Sequence, residues 1–219
     1  MNSLRQNGIG MTSQRTRSRM IERLREQGIR DELVLSAMNS VPRHLFVEEA
    51  ISHFSYDDKS LPIGYEQTIS QPYIVARMIE VLRDGKPLGR VLEIGTGCGY
   101  QAAVLAHVAK EVFTIERILP LHERAKTTLN DLHVKNVTSI YADGSEGLAV
   151  ESPFDGIIMA AAATHISQAL REQLAVGGRM VFPLGAQEQS IYLIERNAQG
   201  YKESKLEAVK FVPLLMGKS

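Results

Sequence analysis

The sequence predicts an α/β fold: a mostly parallel, doubly wound sheet with helices on both faces, an antiparallel edge and a helical preface at the amino terminus. Three observations carry this. From Arg90 onward, short apolar runs over residues 91–94, 112–115, 137–141, 156–159 and 179–183 alternate with helical patterns, the order of strand–helix–strand units whose strands lie parallel. Two more strand-like runs, 190–195 and 208–214, have a turn around 197–200 between them and predict an antiparallel hairpin at one edge. The first run ends in Glu93 and passes straight into Gly95-Thr96-Gly97-Cys98-Gly99, a turn in which glycine permits tight bending and close approach of a ligand.

The elements follow in order. Arg5, Arg15, Arg17 and Arg19 stand among Ser, Gln and Gly without an acid, so residues 1–16 read as a flexible basic arm, with a transit peptide or an RNA-binding tail as alternatives. A helix is expected over 17–26, and a second from the N-cap Asp31 to about Asn39, ended by Pro42. Residues 52–70 lack periodicity and hold Tyr56, Pro62 and Gly64, the marks of a long, functional loop with room for a short hairpin. After Pro72 a helix resumes, with Ile74, Val75, Met78, Ile79 and Leu82 as its apolar stripe. A further helix should follow the glycine turn, over about 100–109. Residues 17–219 then form one domain: preface and covering loop over 17–89, cofactor-binding core over 90–185, antiparallel strands over 186–219.

Composition narrows the partners. Lys+Arg and Asp+Glu are equal at 25 each, a formal net charge of +0, which gives no overall footprint for nucleic acid or an acidic membrane. One cysteine, Cys98, excludes an internal disulfide and suits a reducing compartment. With no histidine beside it in sequence, Cys98 reads as a small residue in a tight turn rather than a nucleophile. No apolar run reaches the length of a membrane span and no signal-type segment opens the chain, so a cytoplasmic protein, monomeric, is expected. The histidines, at 44, 53, 107, 122, 133 and 165, have no metal-ligand spacing, and no metal is expected.

The glycine turn selects a cofactor class. A dinucleotide fingerprint needs a third glycine or alanine where this chain has Tyr100. Glu93, two residues before Gly95, would repel a pyrophosphate but attract the sulfonium and amino group of S-adenosylmethionine. In an open parallel sheet, ligands lie at the carboxyl ends of strands. The second strand ends at Glu116, placed to accept from ribose hydroxyls, or else to cap the next helix. The third ends at Asp143-Gly144, where Asp143 suits the adenine amino group and Gly144 close approach, although Asp-Gly is also an ordinary turn.

The fourth strand ends in Ala160-Ala161-Ala162-Ala163, without the Asp or Asn, two prolines and an aromatic that orient an exocyclic amine. A floor of small side chains suits an acceptor that needs little activation, such as a carboxylate, whose pKa of about 4 leaves it ionised at neutral pH without a general base. Alignment is then the main task. Ser70, where the long loop becomes a helix, is the candidate to orient it; by setting alone Ser70 reads as an N-cap.

These segments resemble the protein-L-isoaspartate O-methyltransferase family, which methylates the abnormal α-carboxyl of isoaspartyl residues so that they revert through a succinimide. The resemblance covers about residues 17–214. It rests on Leu61-Pro62-Ile63-Gly64 with Thr68-Ile69-Ser70-Gln71-Pro72, the turn from Glu93 to Gly99, Asp143-Gly144, Gly177-Gly178-Arg179 with Pro183-Leu184-Gly185, and Val209-Lys210-Phe211-Val212-Pro213-Leu214. It implies a Rossmann-like S-adenosylmethionine-dependent fold, Ser70 as the active-site serine, and cofactor binding by Ile69, Glu93, Gly95, Thr96, Gly97, Glu116, Asp143 and Gly144. It also implies that the last strand, at Val212, Pro213 and Leu214, pairs with the isoaspartyl-containing peptide through its backbone. Lys210 departs from the arginine frequent in the family. A methyltransferase of a small acid or RNA, or a non-catalytic module with the same fold, are the alternatives.

Overall fold

The computed structural model describes residues 7–219; residues 1–6, with Arg5 of the expected arm, lie outside them. Helix α1 (Gln14–Glu26) opens at Ser13, whose side chain accepts from the Thr16 N–H, and it buries Arg17, Met20, Ile21 and Leu24 on one face. The helix begins within the segment expected as an arm, taking in Gln14, Arg15 and Thr16 as well as the expected Arg17 and Arg19. Arg17 is packed inside rather than solvated, its Nε donating to the Tyr56 hydroxyl at 3.0 Å and its Nη1 to the Asn39 carbonyl at 3.1 Å. Helix α2 (Glu32–Ser40) is capped as expected, Asp31 accepting from the Leu33 and Val34 N–H groups.

The loop before Pro72 contains a hairpin, β1 (Leu61–Gly64) and β2 (Gln67–Ile69). Its two turn residues, Tyr65 and Glu66, sit at φ 55° and 58°, the left-handed pair that matches the twist of a two-residue hairpin. Helix α3 (Pro72–Arg83) has Pro at its first turn and no side-chain cap of its own. Asp58 supplies the missing acceptor from a distance, taking the Tyr73 N–H at 3.0 Å. Ser70 is thus not a cap, contrary to its local sequence setting.

The rest alternates: β3 (Leu88–Ile94), α4 (Tyr100–Leu105), β4 (Ala109–Glu116), α5 (Leu119–Asp131), β5 (Val137–Tyr141), β6 (Phe154–Met159), α6 (Gln168–Glu172), β7 (Leu174–Leu184), β8 (Gln189–Asn197) and β9 (Gly200–Val209). One seven-stranded sheet runs in the order β5-β4-β3-β6-β7-β8-β9. Neighbours from β5 to β7 are parallel, and β8 and β9 add an antiparallel edge. The chain moves outward from β3 to β5, then returns to β6 on the other side of β3. This reversal opens the crevice in which such sheets bind ligands.

Two apolar layers hold the sheet. Met20, Leu24, Met78, Leu105 and Leu121 pack with Val91, Val112, Ile158 and Val181 on one face, and Leu92, Phe113, Ile157, Met180 and Phe182 pack with Leu170 on the other. The winding is lopsided, since the second face carries only the short α6 and loops. The last strand also differs from expectation. β9 ends at Val209, opposite Gln189, and residues 210–214 leave the sheet. Pro213 has no N–H for a ladder; instead the Val212 carbonyl accepts from the Ala162 N–H and the Leu214 N–H donates to the Ala162 carbonyl, both at 2.8 Å.

Candidate active site

The carboxyl ends of β3, β4 and β6 meet the β1–β2 hairpin and residues 212–215 around one cavity. Of the residues nominated from sequence, Ile69, Ser70, Gly95, Thr96, Gly97, Glu116, Gly144, Val212, Pro213 and Leu214 line it. Glu93 and Asp143 do not. Ala160 and Ala161 form its floor. Gly95 and Gly97 have φ of 93° and 55°, and a Cβ on Gly95 would stand 3.5 Å from that of Ala160. The turn is thus pressed against the floor across the switch between β3 and β6.

Glu93 lies beneath the turn. It pairs in parallel register with Thr114, so both side chains project on one face, and the Thr114 hydroxyl donates to Glu93 Oε2 at 2.5 Å. With that proton committed, Thr96 Oγ1 is the donor of its 2.6 Å bond to Thr114 Oγ1. The polar chain Glu93–Thr114–Thr96 thereby runs from the core to the cavity wall. Glu93 is fully buried, and burial, opposed by the Thr114 hydroxyl, pushes its carboxyl up to about 8. At neutral pH it is therefore mostly uncharged. The direct charge attraction inferred from sequence gives way to positioning of Thr96. The Gln101 amide sits nearby without completing a bond: Glu93 Oε1 and Gln101 Nε2 are both buried and unpartnered.

Glu116 is held at both oxygens, Oε2 accepting from the Gly97 N–H at 2.8 Å and Oε1 from the Ile118 N–H at 2.9 Å. Each oxygen keeps a second lone pair for a ligand hydroxyl. The Oε1 bond of Glu116 is to the N–H of Ile118, the residue ahead of α5, which has no side-chain cap; of the two readings from sequence, ligand binding is the one this arrangement favours. Asp143 is committed elsewhere: Oδ1 accepts from the Ser145 N–H at 2.9 Å and Oδ2 from the Gly217 N–H at 2.6 Å. Partial burial works against its charge, but these two N–H groups prevail and hold Asp143 below the usual carboxylate range. The chain end is tied to the same rim, Ser219 donating to the Arg117 carbonyl and accepting from the Leu119 N–H.

Ser70 is half-buried and borders two cavities, the one above and a second lined by Ser60, Thr68, Gln71, Lys210, Phe211 and Val212 among others. Its hydroxyl makes no hydrogen bond among the described residues. Nothing local marked Arg117 or Leu215, which reach the first cavity only through tertiary folding; Thr68, which lines it too, stood in the segment that carries the family resemblance, and Gln101 had a signal as the second residue of the helix that the turn opens. Cys98 also lines the first cavity, but burial raises its thiol to about 11, so it is no nucleophile at neutral pH.

A cationic sulfonium nucleoside fits these residues. The turn presents bare backbone, Glu116 presents acceptors for hydroxyls, and Gln101 presents an orphaned amide donor. Among the described residues no three of His, Cys, Asp or Glu gather as metal ligands.

The sequence model described as protein-L-isoaspartate(D-aspartate) O-methyltransferase matches residues 15–219. A protein-L-isoaspartate O-methyltransferase of Methylobacillus flagellatus is 61% identical over 221 residues, covering 99% of both chains, and that of Dechloromonas aromatica is 59% identical over 96% of this chain and 98% of its own. Among solved structures, one protein-L-isoaspartate O-methyltransferase superposes with a TM-score of 0.83 at 26% identity, over 92% of this chain and 67% of the other. Another, described as the Plasmodium falciparum protein-L-isoaspartate O-methyltransferase in complex with S-adenosyl-L-homocysteine, gives 0.76 at 25% identity, over 91% and 98%. By its matched length, its relatives and its fold, the chain belongs to the protein-L-isoaspartate O-methyltransferase family.

Proposed function

We propose that the protein transfers a methyl group from S-adenosylmethionine to the free α-carboxylate of L-isoaspartyl residues in damaged proteins and peptides, the first step of their return through a succinimide. The observation that carries the reading is the position of Ser70, an uncommitted hydroxyl on the boundary between the cofactor-type cavity and the second, more polar one. Support for the substrate comes from the close bacterial relatives, which are named for isoaspartate methylation.

When bound, S-adenosylmethionine supplies an electrophilic methyl group on a cationic sulfur. The chain's own contribution is alignment. Gly95 and Gly97 leave the backbone open to the cofactor, Glu116 accepts from its hydroxyls, Thr96 is set by Thr114 and Glu93, and Gly144 keeps the wall thin. Asp143, with Ile69, completes this set at the rim, its carboxylate being fixed by the Ser145 and Gly217 N–H groups. On the acceptor side, the Ser70 hydroxyl donates to the substrate carboxylate, which is already ionised and needs no base. The Ala160–Ala161 floor offers it no competing side-chain partner. Val212, Pro213 and Leu214 form the facing wall, which takes the peptide with little regard for its sequence.

The test is methyl transfer to an isoaspartyl peptide and to its aspartyl twin. Labelling of the first alone is expected; equal labelling, or none, would overturn the reading. We further read the enzyme as a monomer of the cytoplasm, in keeping with a single buried, unpaired cysteine; sedimentation and cell fractionation check both points. No helix among the described residues is long and apolar enough to cross a membrane.

A further inference from the structure

We infer that Gln189 is a positioning residue for the methyl acceptor: its side-chain amide replaces a missing strand and sets the path of residues 211–214 beside Ser70. The inference rests on the functional reading above. Gln189 opens β8 and pairs with Val209, the last residue of β9. Past Val209 the chain has no neighbouring strand. There the Gln189 Oε1 accepts from the Phe211 N–H at 2.6 Å, and Nε2 donates to the carbonyl of the same residue at 3.1 Å. A primary amide offers a donor and an acceptor side by side, so it copies the paired exchange made between facing residues of an antiparallel ladder.

The consequence is carried one residue further. The Val212 carbonyl and Leu214 N–H turn the other way, onto the backbone of Ala162, and Val212 lines both the cofactor-type cavity and the second cavity that holds Ser70 and Lys210. Phe211 is thus fastened to the hairpin and Val212 to the floor. Among the described residues, the Phe211 backbone makes no hydrogen bond except those to Gln189. A shift at Phe211 therefore displaces the wall that faces Ser70, while the glycine turn, Glu116 and Gly144 stay anchored to other strands.

The amide cannot be exchanged for a carboxylate. Glu keeps the shape but has no donor, and it sets a negative charge against the Phe211 carbonyl; Ala supplies neither group. We expect Gln189→Glu and Gln189→Ala to lower kcat/KM for the isoaspartyl peptide about tenfold, equivalent to about 1.4 kcal/mol. The loss should lie mostly in KM. The dissociation constant of S-adenosylmethionine, from titration of the full chain, and the melting temperature should stay at the wild-type values, and amide exchange should quicken over residues 209–214 alone. An unchanged KM in both variants would overturn the inference. So would a fall in cofactor affinity and melting temperature parallel to the rise in KM, since that marks a general structural role. Failure of the wild type to discriminate isoaspartyl from aspartyl peptide would instead defeat the functional reading.

Discussion

Glu93→Gln should make the folded protein more stable at neutral pH, by an amount that grows with pH. The carboxyl is fully buried under the glycine turn and raised from an ordinary 4.5 to about 8, by burial first, with the Thr114 hydroxyl opposing. Below about pH 4.5 it is protonated in both folded and unfolded chains and costs nothing. Above that the unfolded chain ionises while the folded one stays neutral, so stability falls by about 1.4 kcal/mol per pH unit until the folded group ionises in turn near pH 8. The accumulated cost is about 1 kcal/mol at pH 5 and about 3 kcal/mol at pH 7. An amide never ionises and keeps an acceptor for Thr114, and whatever it changes in packing is the same at both pH values. Urea unfolding of wild type and variant at pH 5 and pH 7 should therefore show the stability difference moving in favour of the variant by about 2.5 kcal/mol. A difference that does not depend on pH would refute the buried, neutral carboxyl.

Three other perturbations test the site. Ser70→Ala should lower turnover by about 10- to 100-fold, the scale of a lost hydrogen bond to a charged group, with S-adenosylmethionine affinity unchanged in a binding titration; unaltered turnover would remove Ser70 from the chemistry. Gly144→Ala would put a Cβ 2.9 Å from Ile94 Cγ2 and 3.3 Å from Ile115 Cγ2. Overpacking of that kind costs about 1–3 kcal/mol, to be read as a lower denaturation midpoint together with weaker cofactor binding. Cys98, buried and with its thiol pushed up to about 11, should resist a thiol reagent at pH 7.5 in the folded protein and react fully in denaturant; rapid labelling of the native chain would contradict its burial.

The parallel strands, the Asp31 cap and the glycine turn were legible because their signals are local: alternation, a capping residue, glycines at fixed spacing. What escaped depends on partners distant in sequence. Ser70 reads as a cap until Asp58 is seen taking the Tyr73 N–H. Arg17 reads as solvated until Tyr56 and Asn39 close on it. Glu93 reads as a charge facing the cofactor, yet its register with Thr114 turns it into the core, where it acts through two hydroxyls. Residues 210–214 are apolar enough for a strand, but where β9 stops is fixed by the reach of β8 and by the Gln189 amide, which periodicity cannot reveal.

The wall facing Ser70 is stitched to the molecule through main-chain atoms, at Phe211 by Gln189 and at Val212 and Leu214 by Ala162. Its place is thus largely indifferent to the side chains it carries. Positions such as Lys210 and Val212 become tunable: substitutions there are free to alter which neighbours of a damaged residue are welcome without moving the scaffold. Selectivity and architecture can evolve separately in this segment, and a library confined to Lys210 and Phe211, which line only the second cavity, would probe acceptor preference while leaving the methyl donor's seat intact.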